Sequence, residues 1–129
     1  CHVSRRASRM SARAVAHALR KSTGLVGLRK VAEPRKELIS VYSSTLEVLK
    51  KMPAAAAYRV NVEALTNERL AIAQSHEAVE AIEDAVDCGQ IEEVLLQAQR
   101  ELDLAEKMNE WKPWESLEEQ PTADQWKWP

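Results

Sequence analysis

Residues 91–108, IEEVLLQAQRELDLAEKM, carry the most regular apolar pattern in the chain. Apolar side chains recur there every three or four positions, which places them on one face of a helix: Ile91, Val94, Leu95, Ala98, Leu102, Ala105 and Met108. The pattern predicts a helix from about Gln90 to Trp111, and Pro113 prevents it from continuing. An amphipathic helix needs other apolar faces to pack against, so this stretch favours an all-helical fold.

Three further helices are predicted before this stretch. The first begins at Pro34 and is ended by Pro53, and the second covers about residues 54–74. Ser75 is predicted to cap the third, which ends at Gly89. Their apolar stripes include Leu38, Tyr42, Thr45 and Leu49, then Tyr58, Val62, Leu65, Leu70 and Ala73, then Val79, Ile82 and Val86. Since short connectors join them, neighbouring helices are expected to be antiparallel.

The composition agrees with a single small helical domain. The chain has 129 residues, of which 45% are hydrophobic, and it contains three glycines and five prolines. We predict an all-α fold: a small bundle of three to four antiparallel helices with an extended Trp/Pro-rich C-terminal tail and a basic N-terminal arm. The expected boundaries are 1–21 for the arm, 22–33 for an extended segment, 34–111 for the bundle and 112–129 for the tail. No apolar run approaches the roughly 20 residues of a membrane span.

Charge is distributed unevenly along the chain. Residues 1–30 contain eight Lys or Arg and no acid, whereas residues 31–129 contain ten bases and all twenty acids. The acidic body argues against a nucleic-acid partner, because it would repel phosphate. Residues 1–21 have the Arg-rich, acid-free pattern of a mitochondrial transit peptide. A disordered basic arm, or one that contacts an acidic neighbour, is the alternative.

No arrangement of residues predicts catalysis or a cofactor. The acidic residues that follow helical spacing flank apolar stripes, which predicts solvent-facing positions: Glu80, Glu83, Asp84, Asp87, Glu92 and Glu93. No His follows a Glu by three residues, as a di-metal bundle would require. Thr45 is expected to bond its own helix backbone rather than act as a nucleophile. We therefore predict no catalytic residue, no metal site and no bound cofactor.

The C-terminal tail holds all four tryptophans of a chain that has no phenylalanine. Buried Trp removes on the order of 150–250 Å² from water, so these rings need a cover. From the residues alone, the tail could fold back on the bundle or pack on a partner. The residues expected to contact a partner lie in the tail and in the segment STGLVGL at 22–28: Leu25, Val26, Leu28, Trp111, Trp114, Trp126 and Trp128.

Six short stretches between residues 22 and 129 resemble a known family. They are TGLVGL at 23–28, AAYR at 56–59, LTNERL at 65–70, GQIEEV at 89–94, WKPWE at 111–115 and ADQWKWP at 123–129. In this order they resemble the NADH dehydrogenase alpha subcomplex subunit 5 family, accessory subunits of mitochondrial respiratory complex I. Residues 1–21 lie outside the resemblance.

The resemblance implies a supernumerary subunit on the matrix-facing hydrophilic arm, near the quinone-reducing region. Such a subunit is peripheral to the mitochondrial inner membrane, carries no redox cofactor and performs no catalysis. It supports assembly and stability by packing against core and accessory subunits of the arm. A tail rich in Trp and a transit-like arm agree with this implication.

An adaptor that binds an acyl carrier protein is the main alternative function. Such adaptors carry a Leu-Tyr-Arg signature near the start of the first helix, and this chain has Ala57, Tyr58 and Arg59 in the second predicted helix. The substitution at the Leu position weakens the match. A small enzyme is a third alternative, for which the sequence offers no ligand set.

Overall fold

The computed structural model describes residues 20–129, and the regular secondary structure in this range is helical. Helix α1 spans Pro34–Leu49, α2 spans Ala57–Ser75, α3 spans Val79–Val86 and α4 spans Ile91–Trp111. The all-α class predicted from the apolar stripes is confirmed, as is the small bundle.

Helix α1 is the centre of the bundle. It packs along both α2 and α4, which touch each other little. The Arg35 side chain donates hydrogen bonds to the carbonyls of Ala73 and Gln74, at 2.9 and 3.1 Å, so the start of α1 lies beside the end of α2. The Asn109 amide donates to the Val48 carbonyl at 3.2 Å, so α1 and α4 end on the same side. Helix α2 is therefore antiparallel to both long neighbours, and short α3 lies between α2 and α4 along the chain.

The apolar stripes meet in two clusters. The larger contains Leu38, Tyr42, Ala73, Ile82, Ile91, Val94, Leu95 and Ala98. The smaller lies where α1 and α4 end, and contains Leu49, Met52 and Ala105. Full burial of one Leu or Ile side chain contributes about 1.5–3 kcal/mol relative to exposure. Packing of the predicted stripes is thus the main source of stability that the structure shows.

The third helix begins later than its predicted cap. Ser75 is the last residue of α2, and its hydroxyl donates to the Ile72 carbonyl at 3.1 Å instead of capping a new helix. Helix α3 starts at Val79 without a side-chain cap, and Asp87 in the left-handed conformation follows its last residue. The predictions that Ser75 caps the third helix and that Gly89 ends it are wrong. A serine between two helices can bond to the backbone of the preceding helix or cap the following one, and the sequence alone does not distinguish the two.

Two acidic residues that were predicted to face solvent are buried. Glu80 is 8% exposed and Glu92 is 2% exposed. The Arg20 guanidinium donates to both carboxylate oxygens of Glu92, at 2.9 and 2.8 Å. The Glu83 carboxylate accepts from the backbone N–H of Ile91 at 2.8 Å. The N-terminus of α4 offers unpaired N–H groups and positive potential, which favours the inward positions of Glu83 and Glu92.

The basic arm predicted at 1–21 lies outside the described residues, apart from Arg20 and Lys21. Arg20 is part of the folded body through its bond to Glu92, and its carbonyl accepts a hydrogen bond from the Lys30 side chain. The last residues of the arm are therefore held against the bundle.

Candidate partner-binding surface

The tail begins at an abrupt end of α4. Lys112 adopts a left-handed conformation with φ of 50°, and its backbone N–H donates to the Met108 carbonyl at 2.9 Å. Pro113 follows and cannot continue the helix. Beyond it the backbone forms isolated turns, such as the bond from the Gln125 N–H to the Thr122 carbonyl at 3.1 Å. The chain thus leaves the bundle without forming a further helix.

The four tryptophans have different environments. Trp114 is partly buried and packs against the smaller core cluster, at the end of the bundle. Trp111 is 64% exposed, while Trp126 and Trp128 are 90% and 93% exposed. The tail therefore returns to the bundle at Trp114 only, and no part of residues 20–129 covers its last two rings.

Sequence reasoning missed one apolar member of the tail. Leu117 is 66% exposed and lies in the acidic link between the two tryptophan pairs. Leu117 stands among acidic residues and outside any helical pattern, so only its position after the end of α4 indicates an exposed apolar side chain. Exposed large apolar residues close together in sequence are typical of an interaction surface.

The segment at 23–28 forms a turn held by one buried side chain. Thr23 is 5% exposed, and its hydroxyl donates to the Leu28 carbonyl at 2.6 Å and accepts from the Leu25 N–H at 3.2 Å. Gly24 and Gly27 have φ of 74° and 77°, a region that residues with a Cβ rarely adopt. The two glycines and the threonine fix the shape of this turn.

The turn presents two of its three predicted contact residues to solvent. Leu25 is 45% exposed and Val26 is fully exposed, whereas Leu28 is half-buried. The Gln90 side chain donates to the Thr23 carbonyl at 2.9 Å, which places the turn at the start of α4. A β-branched residue held fully exposed on a fixed turn is well suited to contact another protein.

The structure does not bring the two predicted contact regions together. The turn lies at the N-terminal end of α4, and Trp111 and Trp114 lie at its C-terminal end. Helix α4 has 21 residues and is therefore about 30 Å long. A single small partner cannot easily reach both regions, so they form two separate candidate surfaces.

Tyr58 and Arg59, which suggested an adaptor for an acyl carrier protein, make contacts within the bundle. The Tyr58 hydroxyl donates to the Glu101 carboxylate at 2.5 Å. Arg59 donates to the Met52 carbonyl at 2.6 Å and to the Glu63 carboxylate at 3.2 Å. Burial, and then the bond to Glu101, raise the pKa of Tyr58 above its ordinary value. Both side chains join α2 to its neighbours, and nothing here favours a carrier protein.

The described residues were predicted to hold no metal ion and to use Thr45 for a backbone bond. In residues 20–129, no three His, Cys, Asp or Glu side chains are placed to hold a metal ion. The predicted bond of Thr45 to its own helix is confirmed, since its hydroxyl donates to the Val41 carbonyl at 2.9 Å. Over the same range, none of the helices combines the length and apolar character that a bilayer crossing requires.

A family model described as the "ETC complex I subunit conserved region" matches residues 27–93. NADH dehydrogenase [ubiquinone] 1 alpha subcomplex subunit 5 of Mus musculus is 49% identical over 111 residues, which cover 86% of this chain and 96% of the mouse protein. The chain belongs to the alpha subcomplex subunit 5 family.

The alpha subcomplex subunit 5 family extends to distant organisms. The alpha subcomplex subunit MCI4 of Candida albicans is 48% identical over 105 residues, covering 81% of this chain and 76% of the yeast protein. A probable mitochondrial subunit 5 of Arabidopsis thaliana is 42% identical over 96 residues, covering 74% of this chain and 57% of the plant protein. The resemblance seen in the six short stretches is thereby confirmed.

Proposed function

We propose that this chain is a non-catalytic accessory subunit of mitochondrial respiratory complex I. The observation that carries the proposal is its match to subunit 5 of the mouse enzyme over nearly the whole length of that protein. The fold agrees with this role, because the described residues form a bundle with exposed apolar surfaces.

The subunit is assigned to the matrix-facing hydrophilic arm, near the quinone-reducing region, and peripheral to the inner membrane. There it supports assembly and stability of the NADH:ubiquinone oxidoreductase by packing against core and accessory subunits. The mitochondrial name of the plant relative supports the compartment. The exposed tail and turn support a packing role, since both offer apolar area to neighbours.

The contact residues are those predicted from the sequence. Trp126, Trp128 and Trp111 supply most of the exposed aromatic surface, with Trp114 at its inner edge. Leu25, Val26 and Leu28 form the second contact, at the other end of α4. Truncation of an aromatic anchor at an interface costs on the order of 2–4 kcal/mol of binding free energy.

The test is re-expression of the tagged chain in cells depleted of their own alpha subcomplex subunit 5. Native gels of their mitochondria are stained for NADH dehydrogenase activity and probed for the tag. We expect the tag in the active high-mass band, and we expect Trp126→Ala with Trp128→Ala to remove most of it. The matched control is Trp126→Phe with Trp128→Phe, which keeps two aromatic rings and should retain more of the band.

Two results would contradict the proposal. Absence of the unmodified chain from the active band would exclude the complex I role. A loss of thermal stability by the double Ala variant, with unchanged incorporation, would show that the tail belongs to the chain's own core.

A further inference from the structure

A groove with a volume of about 390 Å³ lies between α2 and α4, with α1 as its floor. It exists because α2 and α4 each pack on α1 and hardly on each other. The floor is formed by Tyr42 and Thr45, and the small side chains of Thr66 and Ala98 leave the space above it open. Its volume is within the range of about 300–1,000 Å³ that is typical of binding clefts.

Each wall of the groove carries a leucine and an arginine one helical turn apart. Leu65 precedes Arg69 on α2, and Arg100 precedes Leu104 on α4. Because α2 and α4 run in opposite directions, each arginine is displaced from its leucine toward the same end of the bundle. The groove thus has a cationic end and an aliphatic end, about 6 Å apart along each wall.

The two arginines lack a carboxylate partner. Arg69 has a long contact of 3.5 Å from its guanidinium to the Cys88 sulfur, and it lies beside the Tyr42 hydroxyl. Arg100 is exposed, and neither guanidinium forms an ion pair within residues 20–129. This is unexpected in a body that contains ten bases and twenty acids between residues 31 and 129. The nearby Glu101 accepts the Tyr58 hydroxyl instead.

The leucines at the aliphatic end lack an apolar cover, and the tyrosine hydroxyl in the floor lacks an acceptor. Leu65 is 48% exposed and Leu104 is 37% exposed, so both leave apolar surface uncovered at the groove. Tyr42 is 4% exposed, and its hydroxyl donates to no acceptor within the described part of the chain. Burial raises the pKa of this tyrosine, and the charge and hydrogen bonding of Arg69 oppose the rise, so the hydroxyl is a neutral donor beside Arg69. The groove therefore lacks an acceptor and an apolar cover.

We infer that this groove docks a segment of a partner protein that carries a carboxylate and an aliphatic side chain about 6 Å apart. The carboxylate pairs with Arg69 and Arg100, and the aliphatic side chain lies between Leu65 and Leu104. An Asp or Glu placed two residues from a Leu, Ile or Val in an extended segment has this spacing, as does a pair four apart on a helix. Charge-assisted pairing with arginine gives such a segment its orientation.

A protein segment fits the groove better than a small molecule does. Exposed leucines border the groove on both walls, so apolar contact continues past the cavity onto the helix surfaces. The chain's own tail is acidic, but its last two tryptophans are exposed rather than placed over the groove. The inference rests on the proposed function, because the partner is taken to belong to the same assembly.

Photo-crosslinking in the assembled complex tests the inference. Benzoylphenylalanine is placed at position 65 or, separately, at position 104 of the full chain, and the control position is the exposed Lys51. After irradiation of isolated mitochondria, the active complex is recovered and crosslinked peptides are sequenced by mass spectrometry. We expect positions 65 and 104 to capture one peptide of another subunit, with Asp or Glu within four residues of an aliphatic residue.

Charge variants then test the cationic end. Arg100→Glu should reduce the yield of that crosslink at least about tenfold, since it replaces attraction by repulsion. Lys51→Glu has the same change in charge away from the groove and should leave the yield unchanged. Arg100 is exposed and makes no ion pair in residues 20–129, so folding should not change, which circular dichroism verifies. Replacing the partner's carboxylate by Lys should restore the crosslink to the Arg100→Glu chain.

Several results would overturn the inference. Crosslinks at 65 and 104 no stronger than at 51, in a chain that is present in the active band, would exclude the groove while leaving the proposed function intact. Capture of the chain's own tail, of lipid or of a basic peptide would identify a different occupant. Absence of the unmodified chain from the active band would exclude the proposed function and the docking partner together.

Discussion

The bundle core and the C-terminal tail contain equally apolar side chains in opposite surroundings. Leu38 in α1 is completely buried, while Trp128 in the tail is 93% exposed. Helical periodicity places Leu38 in one cluster with residues of the three other helices, whereas a proline-rich tail cannot align its rings on one face. Apolar residues with periodic spacing therefore stabilise this fold, and those without it are available to a partner.

The largest expected difference in the free energy of unfolding is between a substitution in the core and one in the tail. Leu38→Ala should lower the free energy of unfolding by about 4 kcal/mol, because it removes buried contacts and leaves a cavity. Trp128→Ala should change it by less than about 0.5 kcal/mol. Urea denaturation of the two full-length variants measures both values. Comparable losses would mean that the tail is part of the core.

The second comparison is between a buried and an exposed ion pair. The Glu92 side chain is 1% exposed in its pair with Arg20, whose side chain is 24% exposed. Arg20→Ala should cost about 3 kcal/mol, because it leaves a buried carboxylate without this partner. Lys50→Ala removes an exposed pair with Glu47 and should cost less than about 1 kcal/mol. Equal effects in thermal denaturation would show that the N-terminal segment is not held by Glu92.

Removing the hydroxyl group from each of two tyrosines in the bundle should give a smaller difference in stability. The Tyr58 hydroxyl donates to Glu101, whereas the Tyr42 hydroxyl donates to no acceptor in residues 20–129. Tyr58→Phe should cost about 1.5 kcal/mol, because the bond to a carboxylate is lost. Tyr42→Phe should be neutral or slightly stabilising in the isolated chain. Destabilisation by Tyr42→Phe in chemical denaturation would show that its hydroxyl is satisfied, and would weaken the groove assignment.

The smallest expected effect is a change of stability with alkaline pH. Burial and Glu101 raise the folded-state pKa of Tyr58 above its ordinary value of 10.0. The unfolded chain loses this proton near pH 10, while the folded chain keeps it. The contribution of Tyr58 is thus complete below about pH 10 and is lost as the pH rises toward the folded-state pKa. Above pH 10, the free energy of unfolding should fall less steeply with pH for Tyr58→Phe than for the unmodified chain. Equal slopes would contradict the raised pKa.

Sequence periodicity predicted the bundle well and its polar contacts poorly. The stripe from Ile91 to Met108 located α4 to within a residue, because its seven apolar positions agree on one face. Leu65 shows the limit, since it fits the stripe of α2 and is nevertheless 48% exposed. A helix stripe is broad, and its edge residues are buried only if a second helix closes over them. Here α4 does not close over α2.

The sequence by itself determined the helices, the non-helical tail and the family, because each depends on neighbouring residues or on short stretches in order. Only the tertiary structure decided that Glu92 pairs with Arg20, that the turn and the tail lie at opposite ends of α4, and that two arginines face an open groove. Those features depend on which helix lies beside which, and residues 72 positions apart in the chain meet only after the bundle has formed.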